Sequence, residues 1–443
     1  MTSSRRWLVP LFTAAMALAH CADAEKQEQE QEQEQEQPRT ESPDGTNAPG
    51  EYVSSGKERV TSPNVPSQDI AALVTGNTDF GASLYRKIAK PGENLFFSPF
   101  SISQALSMVY TGARGNTEAE MAETLHFSLP QARLHPAANA LNLKLQAQAE
   151  ETVGGVGTPT FLRLVNATWS QQGFSFEPAF LDVLALHYGN GMRVVDFSTQ
   201  ASAIRDGINT WVKDQTEGRI QDLLPPDGVN RNTRLLLVNA LYFKGAWASP
   251  FAPQATQNAP FYLLNGGTQQ VQMMNRTGSV EYMQGEGFEA VGLPYQKNTY
   301  RMLLIVPQQG RFAEIESRLS AGFLSEIRGA LVNRFVALGF PRFQVEKSFS
   351  LADSLQALGM TDAFSEWANF SGLTTQEALA IARVEHKAFV AVDEKGTEAA
   401  AATAVIVAPP SVPEPLTVNR PFLFLIEDKE TKTVLFLGRF VKP

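Results

Sequence analysis

A nearly continuous apolar run at residues 235–243 constrains the fold of this chain more than any other segment. A strand with one face in water alternates apolar and polar residues, whereas a strand covered on both faces is apolar at almost every position. We therefore predict that this run is a strand at the centre of a sheet that is covered on both sides.

Apolar residues recur with helical spacing before this run and form strand-like runs after it. The predicted helices cover residues 68–88, 99–111 with Gly112 as the stop, 116–125 with Asn116 as the cap, 137–150, 178–188 and 201–212. The further predicted strands are residues 300–306, 335–340, 389–392, 422–426 and 434–440. No fixed repeat and no Gly/Pro-rich linker divides residues 68–443, so we predict one α+β domain there.

The composition is typical of a soluble chain with a sizeable core, because 43% of the 443 residues are hydrophobic and 19% are charged. The formal net charge is -9, and beyond the first residues no cluster of Lys and Arg could neutralise a run of phosphates. We therefore expect no nucleic acid partner.

Motifs for catalysis or metal binding are missing from the sequence. No two histidines are spaced four residues apart, as a helical metal site requires; those outside the signal region are His126, His135, His187 and His386. There is no Gly-x-Ser-x-Gly turn, no phosphate-binding Gly-x-x-x-x-Gly-Lys loop and no cysteine after the N-terminal region. We expect neither an enzyme nor a bound cofactor or metal.

Residues 1–24 have the pattern of an export signal, in which Arg5 and Arg6 precede an apolar stretch too short to span a bilayer. Two endings remain open. Cleavage after Ala22-Asp23-Ala24, a small-x-small site, would release a secreted protein. Cleavage before Cys21, in a context that resembles a bacterial lipoprotein site, would give a lipid-anchored one.

The segment after the signal is a Gln/Glu repeat followed by Pro, Ser and Gly, with few apolar residues. Such a composition does not bury enough surface to offset the entropy of folding. Residues 25–67 are therefore predicted to be a disordered tether, and the membrane is a partner only through a lipid on Cys21. Because Cys21 is the only cysteine, no disulfide can form within a monomer.

The segment between Glu394 and Pro413 is rich in small residues, and as a strand it would present two alternating faces. With period two, one face carries Thr397, Ala399, Ala401, Thr403, Val405 and Val407. The charged Glu398 falls on the other face. An alanine-rich helix is the alternative, but Gly396 and the following prolines limit it to about three turns. Because nothing bulky or charged would have to be buried, this segment could enter an existing sheet as a strand.

Four further motifs accompany this segment: NLFFSPFSI at 94–102, VNALYFKGAW at 238–247, NRPF at 419–422 and FLGR at 436–439. Together with the alternating segment they resemble, in order, the signatures of the serpin family over residues 68–443. The resemblance implies three β-sheets, about nine helices and an exposed reactive-centre loop above the largest sheet. It also implies a protease inhibitor whose cut loop inserts as a new central strand while the protease is held as an acyl-enzyme.

The resemblance also assigns roles to individual residues. The hinge of the loop is Glu394, Gly396, Thr397, Ala399, Ala400, Ala401 and Ala402. The polar and aromatic residues where the central strands part are Ser98, Ser101, Asn239, Trp247 and His386. Glu394 is expected to pair with Arg342, and Thr397 is expected at an exposed loop base before cleavage.

Loop length by family resemblance places the scissile bond at Pro410–Ser411. The runner-up is Val407–Ala408, because bonds followed by proline are poor substrates. Arg, Lys, Asp and large aromatic residues are missing from residues 405–413, which surround these two bonds. Elastase-like or subtilisin-like proteases are therefore the expected targets.

The expected partner is one serine protease, held covalently by a monomer outside the cytoplasm, either secreted or lipid-anchored at the cell surface. The first alternative is a non-inhibitory serpin-fold binding protein or chaperone, although such members usually lose the small-residue hinge that this chain keeps. The second is a lipid-anchored structural protein, which rests only on Cys21 and the tether.

Overall fold

The structure is a computed structural model, and it describes residues 47–150, 161–397 and 412–443. The predicted signal, most of the predicted tether and loop residues 398–411 lie outside this description. The described residues contain helices in the first half of the chain and strands mainly in the second half, which confirms the predicted α+β class.

Nine α-helices lie within the described residues. Their bounds are α1 Ser67–Ile88, α2 Pro99–Tyr110, α3 Gly115–Thr124, α4 Gln131–Glu150, α5 Pro178–Tyr188, α6 Phe197–Gln215, α7 Phe312–Ser317, α8 Ala321–Ala330 and α9 Ala352–Gln356. Helix α5 has its predicted bounds, because Pro178 begins it and Gly189, at φ 59°, ends it.

The cap predicted for α3 was wrong. The chain turns into this helix at Gly115, whose φ is 59°, and Arg114 is the residue at the cap position. Asn116 lies in the first turn, where its amide donates to Glu120 Oε1 at 3.1 Å and to Asp362 Oδ2 at 2.6 Å. The local sequence pattern that suggested a cap could not reveal these partners, because Asp362 is distant in sequence.

Sixteen strands complete the described fold. They are β1 Glu51–Val53, β2 Leu95–Phe97, β3 Phe161–Gln171, β4 Met192–Val195, β5 Leu235–Ala246, β6 Gln257–Tyr262, β7 Thr268–Gly285, β8 Phe288–Pro294, β9 Tyr300–Pro307, β10 Val332–Pro341, β11 Phe343–Ser350, β12 Arg383–Asp393, β13 Gly396–Thr397, β14 Glu414–Thr417, β15 Phe422–Asp428 and β16 Val434–Phe440. Each predicted strand lies within one of them.

The large sheet has the order β1-β4-β3-β5-β13-β12-β11. The predicted central strand is β5, which pairs antiparallel with β3 on one side and parallel with β12 on the other. Its residues are buried on both faces except at Lys244, which is half-buried. The prediction from its continuous apolar sequence is therefore confirmed.

The second assembly contains nine strands, in the order β14-β10-β7-β8-β9-β15-β16-β2 with β6 on β7. The long strand β7 pairs with β6 along its first part, with β10 along its middle and with β8 at its end. Because β7 belongs to two groups of strands, the three sheets implied by the resemblance form two hydrogen-bonded assemblies.

Two hydrophobic cores lie on opposite faces of the large sheet. The main core packs the helices α1, α2, α4 and α5 and the second assembly against one face. The smaller core packs α6 against the other face, where Trp211 of α6 meets Trp169 of β3 edge to face at 5.4 Å. Strand β5 contributes residues to both cores, which explains its apolar sequence.

The predicted tether ends earlier than expected. Residues 47–66 were assigned to it, but Glu51–Val53 form β1, an edge strand on β4. Tyr52 is only 4% exposed, and Trp169 Nε1 donates to the Pro49 carbonyl oxygen at 3.0 Å. Composition did not predict that this segment is structured. Its few apolar residues dock on a surface that is formed by distant parts of the chain.

Candidate functional site at the base of the loop

Strand β13 lies at the point where the loop leaves the large sheet. Gly396 and Thr397 pair antiparallel with β12 on one side and with Ala246 and Gly245 of β5 on the other. Further along, β5 and β12 pair directly with each other. The hinge therefore occupies the first positions of a strand between β5 and β12 while the rest of that gap is closed.

A tight turn brings the chain from β12 back into β13. Asp393 Oδ1 accepts hydrogen bonds from the amides of Lys395 at 2.8 Å and Gly396 at 3.2 Å, which is an Asx turn. Gly396 has φ 152°, a conformation that residues with a Cβ rarely adopt. The hinge glycine is thus required by the backbone of the turn.

Thr397 is 1% exposed, so the expectation of an exposed loop base was wrong. Its Oγ1 lies 2.7 Å from the hydroxyl of Tyr295, which is itself fully buried. Burial raises the pKa of Tyr295 well above its usual value, so this hydroxyl stays protonated. Thr397 is buried because β5 and β12 pair with it from both sides.

Trp247 packs under this hinge. Its ring stacks on Tyr295 at 4.7 Å between centroids, and its Nε1 donates to the Asp393 carbonyl oxygen at 3.0 Å. Its backbone amide donates to the Lys395 carbonyl oxygen at 2.9 Å. One aromatic side chain thus holds both the turn and the buried tyrosine that binds Thr397.

The expected ion pair between Glu394 and Arg342 is not formed. Thr256 Oγ1 donates to Glu394 Oε1 at 2.7 Å, and the Phe251 amide donates to the Glu394 carbonyl oxygen at 2.8 Å. Arg342 is exposed, because it alternates with the buried Pro341 and Phe343 between β10 and β11. Because side chains alternate between the two faces of extended backbone, the Arg342 side chain points away from the core.

Four predicted residues meet in a buried polar cluster beneath the pairing of β5 and β12. Ser98, Ser101, Asn239 and His386 are all completely buried. Asn239 Nδ2 donates to the Ser101 carbonyl oxygen at 2.7 Å and also contacts Ser101 Oγ. Ser98 caps α2 by accepting from the Ser101 amide at 3.1 Å, and its hydroxyl donates to the Leu435 carbonyl oxygen at 2.6 Å.

His386 links the cluster across the two central strands. The Ser98 amide can only donate, so His386 Nε2 accepts its hydrogen bond at 3.1 Å. The proton of the neutral ring is therefore on Nδ1, which donates to Asn239 Oδ1 at 2.6 Å. Burial lowers the pKa of His386 to about 3, so the ring is neutral near neutral pH.

The sequence interpretation missed two residues of the site, Tyr295 and Asn166. Asn166, on β3, uses Oδ1 to contact Asn239 Nδ2, so the cluster extends across three strands. A signal for it was an amide placed between the apolar residues Val165 and Ala167 in the middle of the strand. No local signal marks Tyr295, because it lies beside a short turn far from the loop in sequence.

The loop connects the two assemblies. It leaves the large sheet at Thr397 and returns at Glu414, where β14 pairs parallel with β10. Val412, two residues before β14, is 93% exposed. The predicted scissile residues Pro410 and Ser411, the runner-up Val407 and Ala408, and hinge residues 399–402 lie outside the described residues.

Residues 47–150, 161–397 and 412–443 contain no cluster of three or more His, Cys, Asp or Glu side chains suited to hold a metal ion. Within the same parts of the chain, no helix has both the length and the apolar character needed to cross a membrane.

Comparisons with known proteins match this architecture. The family model described as "Serpin (serine protease inhibitor)" matches residues 75–443. An uncharacterized serpin-like protein of Thermococcus kodakarensis is 40% identical over 376 residues, covering 84% of this chain and 86% of the relative. The leukocyte elastase inhibitor of Homo sapiens is 36% identical over 385 residues, covering 84% and 99%.

Solved structures agree with the sequence matches. Thyroxine-binding globulin in complex with thyroxine matches with a TM-score of 0.74 and 30% identity, over 84% of this chain and 99% of that one. Uncleaved ovalbumin matches with a TM-score of 0.75 and 28% identity, over 84% and 100%. The fold, the sequence motifs and these relatives agree, and the chain therefore belongs to the serpins, a family of protease inhibitors and not of enzymes.

Proposed function

We propose that this protein inhibits a serine protease by acting as its suicide substrate. The protease serine attacks the carbonyl carbon of the scissile bond, the bond to the following nitrogen breaks, and the new amine departs with the C-terminal part of the loop. The part that remains esterified to the protease enters the large sheet between β5 and β12. Trapping requires this insertion to be faster than hydrolysis of the ester.

One observation carries the proposal: Gly396 and Thr397 already pair with both β5 and β12. Insertion therefore extends a strand that has started and needs no new nucleus. The alternation after Thr397 places small residues on the same face as this buried threonine. Each further residue that enters extends the hydrogen bonding to β5 on one side and to β12 on the other, and no charge is buried on that face.

The buried polar cluster suits a gap that has to open. The pairing of β5 with β12 must break over Leu236–Leu241 and Arg383–Ala388 before the loop can enter. Asn239 and His386 lie opposite each other in this stretch and are hydrogen-bonded through their side chains. Polar groups can exchange partners when strands separate, whereas apolar side chains would leave a void.

The first prediction concerns the target and the scissile bond. Incubation with elastase-like and subtilisin-like proteases should give a 1:1 complex that survives denaturing electrophoresis, because the loop carries small apolar residues around the bond. Mass spectrometry of the released peptide should show Ser411 as its first residue. A peptide that begins at Ala408 would assign the bond to Val407–Ala408 instead.

A broad panel that includes trypsin-like and chymotrypsin-like proteases provides the control. If every protease cleaves the loop and remains active, the inhibitor proposal is wrong, and a non-inhibitory binding protein or chaperone becomes the better description.

We further propose that the protein is exported and acts outside the cytoplasm, anchored through a lipid on Cys21 if the source is a bacterium. Cys21 follows an apolar stretch and precedes a long polar segment. A stable anchor requires more than one acyl chain, because one chain binds membranes only marginally. Labelled fatty acid should appear on the wild type and be lost in Cys21→Ala. A mature N-terminus at Glu25 would instead indicate a freely secreted protein.

A further inference from the structure

Residues 47–60, here called the strap, add an extra strand to the outer edge of the large sheet. Glu51, Tyr52 and Val53 pair antiparallel with Val194, Arg193 and Met192 of β4. Tyr52 is 4% exposed, and the guanidinium of Arg193 lies 5.4 Å from the centre of its ring. Without the strap, β4 would be the edge of the sheet.

Glycines in the body of the protein form the docking site for the strap. A Cβ on Gly191 would lie 2.4 Å from the Val53 carbonyl oxygen, and its next neighbours would be Ser54 and Tyr52. A Cβ on Gly207 of α6 would lie 3.2 Å from Pro49 Cγ. The three nearest atoms at each site all belong to the strap, so the space of the missing side chains is filled by this segment.

The first end of the strap belongs to the smaller core. Ala48 packs against that core, and Pro49 lies between Gly207 of α6 and Trp169 of β3. All strand residues of this core come from β3, β4 and β5, and none come from β12. These three strands and α6 therefore form one packed block on one side of the gap that the loop has to enter.

The second end of the strap is held by α4, which belongs to the main core. Arg59 Nε donates to Asn139 Oδ1 at 2.9 Å, and Asn139 Nδ2 donates to the Val60 carbonyl oxygen at 2.7 Å. Asn139 is completely buried, and its neighbours Ala138 and Leu141 pack in the main core. Only residues 54–58 separate the two attachment points, so the strap has little slack.

We infer that the strap is a brake on the opening of the large sheet, an inference that rests on the proposed insertion of the loop. When β5 separates from β12, the block of β3, β4, β5 and α6 shifts relative to α4. The strap joins these two parts, so its contacts with β4 or with Asn139 must stretch or break. Its docking thus slows entry of any strand into the gap, including premature entry of the uncut loop.

Gly191→Ala in the full chain tests the brake, because the added methyl group meets only strap atoms among its nearest neighbours. The probe is a fluorescent synthetic peptide with the sequence of residues 397–408, which competes for the gap without any protease. Its incorporation, followed by gel filtration, should be about tenfold faster than in the wild type. Inhibitory activity should also decay faster during storage at about 37 °C.

Two further variants complete the test. Gly329→Ala is the matched control, because a Cβ there meets no atom within 4 Å, and its incorporation rate should equal that of the wild type. Tyr52→Ala changes the strap itself and leaves the body intact, so it should reproduce the faster incorporation of Gly191→Ala. Equal peptide incorporation in the wild type, Gly191→Ala and Tyr52→Ala would overturn the brake.

The peptide assay separates the two proposals. If the wild type traps no protease but Gly191→Ala and Tyr52→Ala still accelerate peptide entry, the brake stands and the inhibitor proposal fails. If the wild type traps protease and all variants incorporate peptide at the same rate, the inhibitor proposal stands and the brake fails.

Discussion

Thr397→Arg is expected to abolish the stable protease complex and also to weaken the uncut protein. Thr397 is buried between β5 and β12 with its hydroxyl on Tyr295. An arginine there would place an unpaired guanidinium under the sheet, at a cost of about 3–5 kcal/mol. Tyr295 would lose its partner at a further cost of about 1–3 kcal/mol. The variant should release intact, active protease.

The complex is measured by denaturing electrophoresis, and stability by the urea midpoint of the uncut protein. Thr397→Ser keeps the hydroxyl and should retain both properties. Because Thr397→Arg could fail to fold, Ala401→Arg provides a second test further along the same face. Its matched control, Ala400→Arg, carries the same charge on the opposite face and should still form the complex, as should Glu398→Arg.

Stable complex formation by Thr397→Arg or Ala401→Arg at the wild-type rate would contradict the insertion register. Equal loss of the complex in Ala400→Arg and Ala401→Arg would contradict it as well, because the two faces would then not differ.

The folded protein is expected to lose stability as the pH falls from about 7 to about 5. Burial lowers the pKa of His386 and of His135 to about 3, below the value of 6.5 for an exposed histidine. Between these values the unfolded chain binds protons that the folded chain does not. The stability is therefore complete above about pH 6.5 and declines below it. The loss at pH 5 is about 2 kcal/mol per histidine.

Urea midpoints measured across this pH range give the slope of stability against pH. His135→Gln should reduce the slope of the unfolding free energy against pH, whatever its effect on stability near neutral pH. His126→Asn is the control, because His126 is exposed and its φ of 54° is tolerated by asparagine. An unchanged slope in His135→Gln would show that His135 is charged in the folded state.

The sequence predicted the parts of the fold that depend on local pattern. The continuous apolar run of β5 indicated a strand covered on both faces, and both cores do contact it. The predicted bounds of α5 match the structure, in which Pro178 begins the helix and Gly189 ends it. The family motifs identified Ser98, Ser101, Asn239 and His386, although nothing local to each motif indicates that their side chains meet.

Only the tertiary structure decided which distant residues become partners. Thr397 is buried because two strands enclose it, and Glu394 binds Thr256 in place of Arg342. Residues 47–60 are ordered because Gly191, just before β4, and Gly207 of α6 leave room for them. Periodicity and composition depend on neighbours along the chain and determine which side of an element is apolar. Burial and pairing at these positions instead depend on contacts between segments far apart in sequence, which exist only once the sheet and its helices have assembled.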